Sequence, residues 1–94
     1  MKMVMIVVDE ARKEELEVVL ERAGVSGYTE ISRASGRGTT GPRLGSRAFP
    51  GTSAVIFSIL SSDRLETLTA TIRAFCEDCD VRPRIVAWNV EELQ

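Results

Sequence analysis

A chain of 94 residues, with 44% hydrophobic and 28% charged residues, has the make-up of one ordinary folded unit. Residues 1–94 are therefore read as a single domain, and wholesale disorder is excluded. The formal net charge of −2 argues against a nucleic-acid partner, which needs a positive face to displace the counterions of phosphate, and the lack of any histidine removes the commonest general base and metal ligand.

Met3, Val4, Met5, Ile6, Val7 and Val8 form an unbroken β-favouring run, which reads as a central strand with apolar side chains on both faces. The run is far shorter than the roughly 20 residues of a membrane span. Asp9 and Glu10 follow it directly, where a secretory leader would place small residues, so a cytoplasmic protein without membrane insertion is expected. Asp9 is suited to accept the free N–H groups of a helix start, and Leu16, Val19, Leu20 and Ala23 recur at helical spacing. A helix is predicted over 10–23, with Gly24 as its left-handed stop. The Asp9–Glu10 pair is thus read as capping rather than catalysis.

Tyr28, Thr29 and Ile31, with polar residues between them, give a strand signal within 25–35. From 36 to 51 the pattern collapses. This stretch holds five of the seven glycines and two of the three prolines, and it reads as a loop. A strand resumes over 52–60. Asp63 followed by Glu66 has the form of a capping box, after which Leu65, Leu68, Ile72, Phe75, Cys76 and Cys79 fall on one helical face. Residues 81–83 form a turn and 84–90 a final strand with Ile85, Val86, Ala87 and Trp88, the tryptophan being expected in the core or at an interface.

The order strand, helix, strand, strand, helix, strand is the βαββαβ arrangement of an α+β ferredoxin-like fold. It implies an antiparallel four-stranded sheet with both helices on one face. Two helices cover only one side of such a sheet, yet several strands carry large apolar residues on both sides. A homo-oligomer that covers the second side is expected, its size left open at this point.

The connection between the second and third strands runs to about fifteen residues, against the two to five usual in hairpins. Between Ser32 and Gly51 lie Arg33, Arg37, Arg43 and Arg47 with no acidic residue. Glycine-rich backbone, the hydroxyls of Thr39, Thr40 and Ser46, and the arginines suit a phosphate, a carboxylate or an acidic protein surface. Arg82 and Arg84, flanking Pro83, are further cations that can face the same cleft or equally stand as surface charges. A purely solvated connector would not explain Leu44 and Phe49, apolar residues that point to docking. No Gly-Lys-Ser/Thr ending is present, so a Walker-type phosphate loop is excluded. Cys76 and Cys79 lie on the apolar stripe and read as buried thiols, with a soft-metal site as the alternative.

Three features together resemble the PII nitrogen-regulator family. They are Val4 to Val8 leading into a helix, Arg37 between glycines at the base of a long loop, and the closing run from Arg84 to Leu93, Arg-Ile-Val-Ala-Trp-Asn-Val-Glu-Glu-Leu. The family's last strand commonly reads Lys-Ile-Phe-Val followed by Pro-Val-Glu-Glu, which Arg84, Ile85, Val86, Val90, Glu91 and Glu92 match identically or conservatively. The resemblance implies a homotrimer whose open sheet faces pack together. It implies a small anionic effector, an adenine nucleotide being the candidate, bound at the subunit clefts, and no required cofactor. By the same resemblance Gly36, Arg37, Gly38 and Arg84 are the ligand-binding residues. Thr39, Thr40, Arg43, Leu44, Arg47 and Phe49 belong to a loop that regulates a partner such as a membrane transporter or an enzyme. The chain departs from the family where a glycine-rich turn precedes the last strand, since Cys79, Asp80, Val81, Arg82 and Pro83 stand there without a glycine.

Other functions are open to the same fold. A CutA-like metal-binding trimer would use Cys76 and Cys79. An acylphosphatase would need an arginine-bearing anion turn after the first strand, where Asp9 and Glu10 stand instead. RNA binding on the sheet would need exposed aromatics on the central strands, which offer only Phe57.

Overall fold

The computed structural model describes residues 1–38, 41–43, 51–75 and 83–94, residues 38 and 41–43 through their backbone. Strand β1 (Lys2–Asp9) leads through a 3-10 turn (Glu10–Arg12) into helix α1 (Lys13–Arg22). Then come β2 (Thr29–Ala34), β3 (Gly36–Gly38), β4 (Gly41–Arg43), β5 (Ser53–Leu60), helix α2 (Ser62–Phe75) and β6 (Arg84–Asn89). The main sheet has four strands in the order β2-β5-β1-β6 with every neighbour antiparallel, the sheet of a ferredoxin-like α+β fold.

Directly opposed residues of an antiparallel ladder project to the same side, so the register sorts the side chains into two faces. Val4, Ile6 and Val8 of β1 and Ala54, Ile56 and Leu60 of β5 are buried. They form one core with Leu16, Val19 and Leu20 of α1 and Leu68 and Ile72 of α2. Both helices therefore lie on this face. Ser58 is the buried polar residue of the face, and its hydroxyl donates to the Gly27 carbonyl at 2.6 Å.

The opposite face is made of three rows: Trp88, Met3 and Ile59; Val86, Met5, Phe57 and Thr29; Arg84, Val7, Val55 and Ile31. No helix covers it among the described residues. Ile31 remains 52% exposed, Trp88 43%, Ile59 39% and Val86 37%. The two-sided apolar strands read in the sequence thus leave a broad uncovered layer, and Trp88 belongs to it rather than to the core.

Helix α1 ends in a six-residue wrap. The Val25 N–H donates to the Leu20 carbonyl and the Gly24 N–H to that of Glu21, each at 3.0 Å, the bonds of a Schellman motif. Gly24 has φ +78°, and a Cβ there would stand 2.4 Å from Arg64 Nη1. That guanidinium donates to the Ala23 carbonyl at 3.0 Å, so α2 helps to cap α1.

Several expectations are corrected. The first helix begins as a 3-10 turn, because Asp9 accepts the Ala11 N–H at 3.0 Å and tightens the first turn, and α-helical bonding starts at Lys13. The second strand is shorter than 25–35, since Val25 and Gly27 are engaged by α1 and Ser58. Helix α2 is capped by Ser61 rather than Asp63, the Ser61 hydroxyl accepting the Arg64 N–H at 3.2 Å and its carbonyl the Leu65 N–H at 3.0 Å. Phe75 is 41% exposed instead of lying with Leu68 and Ile72. The 36–51 loop contains a short antiparallel ladder of β3 with β4, Gly36 facing Arg43, Arg37 facing Pro42 and Gly38 facing Gly41. Such a ladder needs backbone groups alone, so it forms without apolar alternation; Pro42 donates nothing to it, as an edge position permits.

Candidate functional site

The sheet end at which β1 and β2 finish and β5 and β6 begin carries the charged residues of interest. At this end Asp9 faces Ser53, Ala34 faces Ser53 from the other side, and Val7 faces Arg84. Arg33, Arg37 and Arg84 are all exposed. Gly36 and Arg37 continue from β2 at one edge of the sheet, while Arg84 opens β6 at the other. Three strand spacings of about 4.8 Å separate the two edges, and Gly36 lies further along the strand direction than the row of Arg84, so the groups stand more than about 14 Å apart. The structure brings Gly36 together with Arg37, but not with Arg84. A Cβ at Gly36 would meet nothing within 4 Å, so packing among the described residues does not demand a glycine there.

The base of the loop is shaped by a bulge. Pairing of β2 with β5 shifts register between Ile31 and Ala34, and Arg33 takes φ +58°, the left-handed conformation that costs a non-glycine residue about 1–2 kcal/mol. The Arg33 N–H donates to Glu10 Oε1. Lys13 lies 3.3 Å from Glu10 Oε2 and 3.9 Å from Glu30 Oε1, and its ammonium donates to the Ser32 hydroxyl at 3.3 Å. Neither Glu10 Oε2 nor Glu30 Oε1, both buried, receives a well-directed hydrogen bond, so the nearby ammonium is what balances their charge. The Lys13 ammonium is correspondingly held above its ordinary pKa, first by its close side-chain pairing with Glu10, against a smaller opposing effect of desolvation, and then by the fields of Glu10, Glu30 and Glu17. Tyr28 is pushed upward as well, first by desolvation and then by neighbouring carboxylates, with Glu17 at 3.5 Å from its hydroxyl.

Sequence reasoning placed Asp9 correctly as a cap but missed this cluster. The readable trace was the i, i+3 spacing of Glu10 and Lys13, which puts opposite charges on one helical face. The bulge at Arg33 left no trace, because arginine carries no preference for the left-handed region.

Thr39, Thr40, Leu44, Arg47 and Phe49, expected from the sequence to meet a partner, lie outside the described residues, as do Cys76, Cys79 and Arg82. Gly38 and Arg43 enter through their backbone in β3 and β4. Among the described residues no three Cys, Asp or Glu side chains gather into a group able to hold a metal ion. No helix among them is long and apolar enough to cross a membrane.

Residues 1–93 match the family model for nitrogen regulatory protein P-II. Among solved structures the chain resembles CPII, a nitrogen regulatory PII-like protein from Thiomonas intermedia K12, bound to ADP, AMP and bicarbonate. The TM-score is 0.76 at 25% identity, over 93% of this chain and 82% of that one. The structure of CPII from the same organism bound to ADP and bicarbonate gives 0.75 at 25% identity over the same shares. The apo form of CPII gives 0.69 at 22% identity, over 93% of this chain and 85% of that one. No curated protein sequence matches the chain.

Proposed function

Because the chain belongs to the nitrogen regulatory protein P-II family, a family of regulators rather than catalysts, we propose that it is a non-enzymatic, cytoplasmic sensor. In this reading residues 1–94 act as one domain and assemble as a homotrimer through the open sheet face. A small anionic effector binds at the seams, and the loop of residues 36–51 carries the signal to a partner such as a membrane transporter or an enzyme.

The observation that supports it most is the separation of Gly36 and Arg37 from Arg84 on opposite edges of one sheet. A ligand that uses both groups needs two copies of the chain, and the uncovered apolar layer gives those copies a reason to meet. Gly36, Arg37 and Gly38 present backbone N–H groups and a guanidinium from one copy, and Arg84 supplies a second bidentate cation from its neighbour. CPII, similar over 93% of this chain, was solved with ADP, AMP and bicarbonate, which makes these the first effectors to try. Thr39, Thr40, Arg43, Leu44, Arg47 and Phe49 are the loop residues assigned to the partner. The family match favours this reading over a CutA-like metal-binding trimer, for which Cys76 and Cys79 were the ligand candidates.

Calorimetry and thermal shift with ATP, ADP, AMP, cyclic nucleotides, bicarbonate and 2-oxoglutarate test the proposal. Saturable binding of at least one of them, weakened about tenfold or more by Arg84→Ala and by Arg37→Ala, is the expected result, as for a lost charge-assisted hydrogen bond. Silence across the whole panel would end the effector reading.

A further inference from the structure

Glu10 contacts both feet of the 36–51 excursion. Its backbone N–H donates to the Thr52 carbonyl at 3.1 Å, where the chain returns to enter β5. Its side chain accepts the Arg33 N–H, just before the chain leaves β2. Lys13, one helical turn further on, repeats the link through Ser32 and Glu30. The 3-10 turn and the start of α1 are thereby tied to both ends of the loop by polar contacts, at a point where β2 has lost its register with β5.

We propose that Glu10 is a positioning residue for the effector site: its carboxylate, balanced by Lys13, clamps the Arg33 amide in the left-handed bulge and so sets the direction in which Gly36 and Arg37 leave the sheet. The inference rests on the assignment of Gly36 and Arg37 to the effector site. The physical case is a balance of opposing terms. A left-handed arginine is unfavourable on its own, and it persists where the surroundings over-determine it. A hydrogen bond to an ionised acceptor is stronger than one to a neutral group, and Glu10 offers it the acceptor. Without the carboxylate Arg33 relaxes toward the ordinary β region, β2 resumes regular pairing with β5, and the residues that follow rotate away. Arg37 sits four positions beyond the bulge and carries the error to the ligand.

Wild type, Glu10→Gln, Glu10→Ala and the double variant Glu10→Ala/Arg33→Asn are compared by amide hydrogen exchange of Arg33 in NMR spectra and by titration with ADP. Asparagine tolerates the left-handed region, so it restores the bulge without restoring the carboxylate. Glu10→Ala is expected to lose Arg33 protection and to bind ADP about tenfold more weakly, with Glu10→Gln in between, since its amide oxygen still accepts. The double variant is expected to recover most of the affinity at unchanged thermal stability, a split that a merely structural role would not produce. Unchanged Arg33 exchange in Glu10→Ala overturns the clamp. Lost exchange protection with wild-type ADP affinity overturns its positioning role. If wild type ignores ADP and every other compound of the panel above, the effector assignment falls, and with it the positioning role, while the exchange data still decide whether the clamp exists; if it binds another of them instead, that compound takes the place of ADP in the same comparison.

Discussion

Met5 stands at the middle of the uncovered sheet face, with Phe57 opposite it on β5 and Val86 opposite it on β6. Replacing it by lysine places a charge where the proposed assembly excludes water. The face retains four large side chains 37–52% exposed, Ile31, Ile59, Val86 and Trp88. Completing their burial stabilises association by about 1 kcal/mol each, or about 4 kcal/mol per protomer, before the entropic cost of assembly. An unpaired ammonium in the same layer costs several kcal/mol, enough to cancel most of that gain. Sedimentation or light scattering at micromolar protomer is expected to show the wild type as an oligomer of three and Met5→Lys as a monomer with unchanged circular dichroism. Val18→Lys is the control, since Val18 is 46% exposed on α1 and away from the sheet. A monomeric wild type, or a Met5→Lys variant of wild-type mass, refutes the argument from burial.

Gly24→Ala is expected to cost about 2–3 kcal/mol in urea denaturation at fixed protomer concentration, from the left-handed backbone and the displaced Arg64 guanidinium together. In an Arg64→Ala background the same change should cost about 1–2 kcal/mol, because only the backbone penalty is left. Ser58→Ala leaves the Gly27 carbonyl without its 2.6 Å donor and is expected to destabilise by about 1–2 kcal/mol, read from the same denaturation curves. Lys13 titrates above its ordinary 10.5, so its pairing adds stability that is complete below that pH and is lost as pH rises through the raised value. Urea midpoints compared at about pH 9 and about pH 11.5 should fall in wild type and fall less in Glu10→Gln.

The elements were legible wherever burial imposes a period. Val4, Ile6 and Val8 alternate with Met3, Met5 and Val7, and this alternation gave both the central strand and the existence of two apolar faces. Leu16, Val19 and Leu20 fixed α1, and Gly24 its end, for the same reason. What escaped the sequence is local polar chemistry with several solutions. Ser61 and Asp63 are both good caps, and only the observed bond to the Arg64 N–H separates them. Of the candidate site, Arg37 and Arg84 were visible as cations in suggestive places. Their placement on opposite edges followed only from the strand order, and the clamp by Glu10 depends on a bulge that no residue type announces.

The ribbon of β3 and β4 joins three facing pairs, and no further strand extends it among the described residues. A duplex of that size is marginal by itself in water. Its geometry is therefore inexpensive to rewrite, and a protein that gripped it would impose a different outline at little thermodynamic penalty. Recognition there would be decided by the receiver's contour, while the rigid sheet beneath keeps the point of departure constant.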